Sequence, residues 1–289
     1  MVPRRDQHVA RVPEHVVVVV AEDADGVLRL PHGTPSKETL ESLMSRKRVV
    51  GACRLCGAFG PLEKSHIVSK AAYRRAAQGP DGETPELGLI EITRDGVRRT
   101  TKQMKEYLLC RVCEDRLGNW ERYAYPVLSQ RDRVFPWLAA CTTVAGQLAD
   151  CSAMDVDVLA RFLLSIVWRL GVYKAAKTRQ ESADEEFTRR YLLGQAAFPA
   201  QAVLSVTLLD PSASTLGRVD RLFTNLWRGG GNGFALYQVV ILGADARLFM
   251  GAGVPQDFYS VCFARTKLVR VRPSDEFARE HAGFIGGRV

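Results

Sequence analysis

Residues 53–56 read Cys-Arg-Leu-Cys, and residues 110–113 read Cys-Arg-Val-Cys. In a Cys-x2-Cys pair the two thiolates lie on one tight turn, so two such pairs can supply the four ligands of a tetrahedral zinc ion. Two buried cysteine pairs and a redox-active dithiol are the alternative interpretations. We expect one structural zinc ion that ties the first cysteine turn to a helix beginning at the second pair. Its predicted ligands are Cys53, Cys56, Cys110 and Cys113.

The remaining cysteines do not indicate a disulfide framework. The chain has 7 cysteines in 289 residues, an odd number, and we identify no secretion signal. Cys141, Cys151 and Cys262 lie in apolar surroundings, which predicts small core residues. The longest aliphatic run, Val16–Ala21, is too short to cross a membrane. We therefore expect a cytoplasmic protein without a membrane partner.

The charge of the chain favours a polyanionic partner. The net charge is +8, and residues 46–125 carry 16 Lys and Arg against 10 Asp and Glu. Neutralising phosphates releases counterions, so a basic segment favours nucleic acid. Ordinary solubilising charge is the alternative. Tyr73 is a candidate for stacking on a base. The candidate phosphate-binding residues are Lys64, Lys70, Arg74, Arg75, Arg98 and Arg99.

The sequence pattern divides the chain into three segments, 1–48, 49–126 and 127–289. The first holds strands around an Asp25-Gly26 turn and a helix from Ser36 to about Lys47. The second is the cysteine-containing module. Its predicted elements are a strand over 63–68, a basic helix over 71–78, strands over 89–92 and 97–101, and a helix over 110–125 that Pro126 ends.

Residues 127–289 are predicted to form an α+β domain, and the whole chain is of the α+β class. Apolar residues recur at helical spacing between Val156 and Leu170, which predicts a helix over 155–175. The other predicted elements are a charged helix over 182–193, strands over 203–209, 234–242, 247–250 and 258–263, and a flexible loop over 228–233. We expect this domain to serve recognition or to contact a second copy or a partner protein.

The order of elements over residues 53–125 resembles the HNH endonuclease superfamily, which has the ββα-metal fold. The family pattern is Asp-His or His-His followed by Ile-x-Pro, and later Leu-Cys-x2-Cys-His. The corresponding stretches are Ser65-His66-Ile67-Val68-Ser69 and Leu109-Cys-Arg-Val-Cys-Glu114. The run LLCRVCEDRLGNWERYAYPVL, with LARFLLSIVWR downstream, is also similar to a divergent bacterial HNH-like group. The resemblance implies a zinc-stapled ββα-metal module whose structural zinc lies outside the active site.

The same resemblance implies a metal-dependent nuclease. His66 corresponds to the general base of the family, and its imidazole would take a proton from the attacking water. A catalytic Mg²⁺ or Mn²⁺ would stabilise the charge on the leaving oxygen. A partly buried histidine at a strand end is the alternative interpretation of His66.

The chain departs from the family at two ligand positions. Ser65 stands where a metal-binding Asp or His is expected, and Glu114 stands where the helix normally provides His. Glu114 and Glu121 are seven residues apart, about two helical turns, so they share one helix face with Gly118 between them. Carboxylates suit Mg²⁺ and Mn²⁺. We therefore predict Glu114, and secondarily Glu121, as ligands of the catalytic ion. A solvated helix face, or a complement to the helix dipole, is the alternative.

The predicted function is hydrolysis of phosphodiester bonds in nucleic acid, with DNA as the expected substrate. The alternative is a zinc-stapled nucleic-acid-binding or assembly module that has lost catalysis, which the departures at Ser65 and Glu114 favour. Stand-alone HNH proteins as a class are associated with bacterial defence and mobile elements. That association is an expectation from the family alone.

Overall fold

The computed structural model describes residues 18–19, 49–77, 89–93, 96–100, 103–128, 136–178, 183–210, 219–224 and 226–280. The chain divides into two compact units, Met1–Ser65 with Tyr107–Glu114, and His66–Glu106 with Asp115–Val289. The predicted hairpin at Asp25-Gly26 and the predicted helix from Ser36 lie outside the described residues. No helix in the described ranges is both long and apolar enough to cross a membrane.

The described chain contains strands and helices whose bounds are as follows. The strands are β1 Val18–Val19, β2 Val50–Ala52, β3 Phe59–Pro61, β4 Glu63–His66, β5 Leu89–Thr93, β6 Gly96–Thr100, β7 Lys105–Leu109, β8 Thr142–Ala145, β9 Leu148–Asp150, β10 Ala202–Asp210, β11 Leu222–Thr224, β12 Trp227–Gly231, β13 Phe234–Ile241, β14 Ala244–Met250 and β15 Leu268–Pro273. The α-helices are α1 Lys70–Ala77, α2 Arg111–Leu128, α3 Pro136–Ala140, α4 Val156–Thr178, α5 Ala183–Leu193, α6 Phe263–Thr266 and α7 Ser274–Glu280. Short 3₁₀ helices span Val219–Arg221 and Gln256–Val261.

The first unit is built on very short strands. β2 pairs with β1 in parallel and with β3 in antiparallel orientation. The turn between β2 and β3 carries the first cysteine pair, and Gly57 closes it at a φ of 79°, which a residue with a side chain rarely adopts. β4 pairs with β7, the strand that leads into the second cysteine pair. The pairing of short strands therefore positions both cysteine pairs.

The second unit is built on a ten-stranded sheet. Nine strands follow the order β6-β5-β11-β13-β14-β10-β15-β9-β8, and β12 pairs with β13 beside that path. Helix α4 packs against α5 and β13, and every residue of α4 from Phe162 to Val172 is buried. A helix that is apolar nearly all round belongs in a core. Helices and a multistranded sheet together confirm the predicted α+β class.

The unit boundaries differ from the predicted division at residues 49–126 and 127–289. β5 pairs in parallel with β11, with Leu222 opposite Ile90, so the predicted hairpin of the module belongs to the large sheet. An isolated two-stranded hairpin is at best marginally stable in water. Pairing with β11 gives β5 a second hydrogen-bonded neighbour and explains why the hairpin joins this sheet.

Three local predictions are wrong. Helix α2 continues through Pro126 to Leu128, because a proline near the last turn removes only one hydrogen bond close to the helix end. Residues 258–263 do not form a strand. Pro255 starts the 3₁₀ helix Gln256–Val261, in which Phe258 N donates to Pro255 O at 3.1 Å. The aromatic and apolar residues of that stretch are typical of a strand, but Phe258 instead packs on Phe249, with ring centroids 4.9 Å apart.

The glycine-rich stretch 228–233 is also not a flexible loop. Arg228–Gly231 pairs with Tyr237–Phe234 as part of β12, and the turn is confined to Asn232 and Gly233. At Gly230, which has a φ of 140°, an added Cβ would collide with the Phe234 carbonyl. Glycine is therefore required here by close approach of two strands rather than by flexibility.

The prediction that all three remaining cysteines are unpaired is corrected by a disulfide. Cys141 and Cys151 are bonded, with their Cα atoms 4.6 Å apart, whereas Cys262 is a buried free cysteine as predicted. The cause is the register of the β8–β9 hairpin. Thr142 lies opposite Asp150, so the residues immediately outside that pair also face each other. Trp137, which is 0% exposed, donates its Nε1–H to Cys151 Sγ.

We predict that protein purified without reductant contains five free thiols. Titration in denaturant with a chelator should count the five unpaired cysteines, and reduction should raise the count to all 7. The Cys141→Ser variant should titrate as six thiols before and after reduction, because Cys151 loses its partner. Seven thiols in the unreduced wild-type protein would contradict the disulfide.

Candidate metal centre and histidine site

The four cysteines of the two pairs meet in the first unit. Their Sγ atoms all lie within 4.8 Å of one another, and Cys56 Sγ lies 3.7 Å from Cys110 Sγ. Cys53 and Cys113 are buried, Cys110 is half-buried and Cys56 is exposed. The four cysteines are thus close enough to bind one metal ion. Within the described ranges they form the only cluster of three or more Cys, His, Asp or Glu ligands.

Backbone hydrogen bonds bring the two cysteine turns together. Cys53 N donates to Ala58 O at 2.9 Å, and Gly57 N donates to Cys53 O at 2.8 Å, which closes the first turn. Arg54 N donates to Leu108 O at 2.8 Å, so this turn lies against the end of β7. Glu114 N donates to Cys110 O at 3.0 Å and begins helix α2. These local bonds preorganise the sulfur atoms.

The thiols already interact with one another. A hydrogen bond from Cys113 lowers the pKa of Cys53 to about 4, and the same bond, with burial, raises the pKa of Cys113. Burial also raises the pKa of Cys56. The Cys53 thiol therefore ionises far more readily than those of Cys56 and Cys113. Binding of a cation by all four thiolates would release the remaining protons.

Ser65 and Glu114 form a hydrogen-bonded pair in the first unit. The side chain of Ser65 is 0% exposed, and its Oγ–H donates to Glu114 Oε2 at 2.8 Å. Ser65, which stands where the family pattern has a metal ligand, therefore donates a hydrogen bond to the Glu114 carboxylate. This bond orients Glu114. Its role as a ligand of a catalytic ion stays a prediction.

His66 is half-buried at the end of β4 in the second unit. Its Nε2 lies 3.0 Å from Gln103 Oε1. Because an amide oxygen only accepts, the imidazole nitrogen is the donor in this assignment. The residues that follow His66 are fully buried, with Ile67 and Val68 at 0% exposure. The backbone is therefore fixed by packing, and the ring is held by the Gln103 amide.

A buried arginine holds the backbone of His66. Arg169 of α4 is 2% exposed and donates through Nη1 to His66 O and through Nη2 to Glu121 Oε1, each at 2.8 Å. Its Nε donates to Ser165 O at 3.3 Å. One guanidinium thus joins the strand end to two helices of the second unit. A charge this deeply buried needs such compensation.

Glu121 forms this ion pair through one of its carboxylate oxygens. Its side chain is 16% exposed, and Oε1 accepts from Arg169. The buried Tyr125 lies nearby, and burial together with the negative charge of Glu121 raises the pKa of its phenol well above the usual value. The ring of Tyr125 packs edge-on against Phe162, with centroids 5.6 Å apart. Glu121 therefore has a structural role.

The predicted nucleic-acid residues are only partly described. Lys64 is exposed, with its Nζ 5.8 Å from the Tyr107 ring centroid. Lys70 and Arg74 are exposed and lie four residues apart on α1, hence on one helix face. Tyr73 is buried at 6% exposure, so the prediction that it stacks on a base is wrong. The side chains of Arg75, Arg98 and Arg99 lie outside the described part of the chain.

Gln103 and Arg169 are site residues that the sequence pattern did not reveal. Gln103 is 37 residues from His66, and Arg169 is 103 residues away. One signal was present for Arg169, because it is the one charged residue in the apolar stretch of α4 between Phe162 and Tyr173. Charged residues are almost never fully buried unless they are paired. A search for its partner would have pointed to an acidic residue on a neighbouring element.

We predict that Glu121→Ala lowers the free energy of unfolding by about 3–5 kcal/mol, because it leaves the buried Arg169 charge without its carboxylate. The matched control is Glu186→Ala. It breaks an ion pair with Arg189 on α5 in which the carboxylate is 53% exposed, so about 0.5 kcal/mol or less is expected. Urea unfolding measures both changes. Equal losses in the two variants would contradict the structural role of Glu121.

We also predict that the chain binds one thiophilic divalent ion. Titration with Co²⁺ should produce a thiolate-to-metal charge-transfer band that saturates at one ion per chain. Cys113→Ser should weaken this binding by more than about 100-fold. Loss of a residue that only hydrogen-bonds to a metal ligand lowers metal affinity about 10–100-fold, and loss of a ligand itself should lower it further. The control Cys262→Ala removes a buried free cysteine outside the cluster and should leave the band unchanged. An unchanged band in Cys113→Ser would contradict the metal centre.

Comparison with known proteins adds no relative. No protein-family model, no curated protein and no solved structure matches the chain. The resemblance to HNH endonucleases therefore rests on the quoted residues alone. The cysteine cluster by itself does not discriminate among families, because four-cysteine metal sites occur in many folds.

Proposed function

We propose that the four-cysteine cluster binds a structural zinc ion. A tetrahedron with Zn–S bonds of 2.3 Å has S···S edges of about 3.8 Å. The distance of 3.7 Å between the Sγ atoms of Cys56 and Cys110 fits that edge. All four Sγ atoms lie within 4.8 Å of one another, so they need to move only slightly to form the tetrahedron. Four thiolates leave no open position for a substrate or water, which favours a structural over a catalytic role.

We further propose that the protein is a metal-dependent HNH-type endonuclease with His66 as general base. One observation carries the proposal. The half-exposed imidazole of His66 is held through its ring by Gln103 and through its backbone carbonyl by the buried Arg169. A catalytic base must be oriented within hydrogen-bond reach of the proton that it removes. A surface histidine without a function does not need this support.

The reaction assigned to His66 is proton removal from water. The imidazole accepts one proton as the water oxygen attacks the scissile phosphorus, and it becomes imidazolium until solvent removes the proton. Arg169 and Gln103 keep the backbone and the ring in place. A divalent cation, when bound, would stabilise negative charge on the leaving oxygen.

The protein ligand for that cation comes from the helix carboxylates. Mg²⁺ commonly takes only one or two carboxylates, with waters and substrate phosphate oxygens completing its shell. Glu121 belongs to the same unit as His66, is 16% exposed, and uses Oε1 for Arg169. We assign Glu121 as the protein ligand within this unit. Glu114, whose Oε2 accepts from Ser65, remains the second proposed ligand.

A specific observation favours a second candidate function, a zinc-stapled module that binds nucleic acid without cleaving it. Both carboxylates proposed as metal ligands already accept hydrogen bonds from protein donors, Glu114 from Ser65 and Glu121 from Arg169. In this function, Lys64, Lys70 and Arg74 contact phosphates, and affinity falls steeply with salt. The two candidates differ only in whether the substrate is cut.

We predict that the protein nicks or cuts plasmid DNA in Mg²⁺ or Mn²⁺ and that His66→Ala slows cleavage by about 10²–10⁴-fold, the usual contribution of a general base. Gel assays under single-turnover conditions measure the rate. The zinc content should stay at one ion per chain, because His66 is not part of the cysteine cluster. Glu186→Ala, an exposed ion-pair variant on α5, is the matched control and should cleave normally.

Two outcomes separate the candidates. Cleavage that survives His66→Ala would overturn the base assignment. Salt-dependent DNA binding with no cleavage in any divalent ion, by protein that retains its zinc, would establish the second candidate instead. Lys70→Ala with Arg74→Ala should weaken binding in either case, because both side chains lie exposed on one face of α1.

A further inference from the structure

The short segment before β7 lies beside the end of β4. Ile67 N donates to Met104 O at 3.0 Å. Burial raises the pKa of the Tyr73 hydroxyl, and a hydrogen bond that its oxygen accepts from the Met104 backbone N–H lowers it. The Met104 backbone is thus held at its carbonyl by a strand end and at its N–H by a helix side chain. This pair of bonds fixes the neighbouring residue, Gln103, opposite His66.

The hydrogen bond between Gln103 and His66 determines which imidazole nitrogen carries the proton. Oε1 of Gln103 lies 3.0 Å from Nε2 of His66 and can only accept. A neutral imidazole has one N–H and one lone-pair nitrogen. With the proton on Nε2, the lone pair is on Nδ1. No hydrogen bond to Nδ1 is found among the described residues.

The rest of the environment prevents His66 from changing its position. Arg169 Nη1 holds its carbonyl at 2.8 Å, and the following residues, Ile67 and Val68, are 0% exposed. With the backbone fixed, rotation of the side chain is the remaining freedom. The Gln103 amide restricts that rotation. A side chain held in this way pays little orientational entropy when a substrate arrives.

We infer that Gln103 is a positioning residue that holds His66 as the Nε2–H tautomer and thereby makes Nδ1 the nitrogen that accepts the proton from water. The assignment of Nδ1 as the acceptor of the water proton rests on the proposed nuclease function. The tautomer itself does not, because it is a property of the folded chain. Gln103 acts through His66 and is not assigned contact with the substrate.

The experiment is ¹⁵N NMR of protein labelled at its 5 histidines. The signals of His66 are identified by their disappearance in His66→Ala, and long-range ¹H–¹⁵N couplings distinguish the two neutral tautomers. We expect the Nε2–H form in the wild-type protein above the pH at which the ring is protonated. In Gln103→Met, which keeps the shape but removes the acceptor, both tautomers should be populated. In Gln103→Glu, which restores an acceptor oxygen, the Nε2–H form should return.

Cleavage rates are measured on the same three proteins. Gln103→Met should cleave about 10–100-fold more slowly than wild type, the usual effect of losing an outer-shell partner. The Nδ1–H form in the wild-type protein would overturn the inference, since the amide of Gln103 would then donate to Nε2. An unchanged tautomer in Gln103→Met would overturn it as well. A wild-type Nε2–H form without any DNA cleavage would refute the nuclease function and leave the tautomer assignment standing.

Discussion

A guanidinium ion with 2% exposure imposes a strict condition on the structure around it. Its charge must be compensated and its three nitrogens need acceptors, because an uncompensated buried charge costs several kcal/mol. Arg169 meets this condition with the Glu121 carboxylate and the carbonyls of His66 and Ser165. The planar fork of arginine also fixes the directions of these bonds. The end of β4, the middle of α2 and one turn of α4 are therefore held in a single arrangement.

The two units obtain their stability from different sources. The second unit has the large sheet and the buried helix α4, so apolar burial can support it. In the first unit each described strand contributes only two or three residues, counting the β4 and β7 residues that belong to it. A small segment of this kind depends on a staple. Zinc bound by the four cysteines would supply that staple, and the hydrogen bonds of the cysteine turns would supply its geometry.

Much of the fold could be predicted because its signals are local. The apolar spacing between Val156 and Leu170 predicted α4 to within three residues at either end, and the two cysteine pairs predicted a shared site. The stretches at 228–233 and 258–263 were misread because neighbouring strands and an aromatic cluster override local propensity. The bonds of His66 to Gln103 and Arg169 could not be predicted. They join residues that only tertiary folding brings together, and neither partner carries a motif of its own.

The alternation along β4 has a consequence for changes in chain length. Lys64 points to solvent, Ser65 is 0% exposed and His66 is half-buried, so successive side chains occupy opposite faces of the strand. Adding or removing a single residue within β4 would shift the register by one and move His66 to the face that Ser65 occupies. Insertions and deletions of a single residue within β4 are consequently incompatible with this arrangement. The number of residues between Leu62 and His66 is therefore fixed for two reasons. It sets the length of the strand, and whether it is odd or even decides which face of the strand His66 occupies.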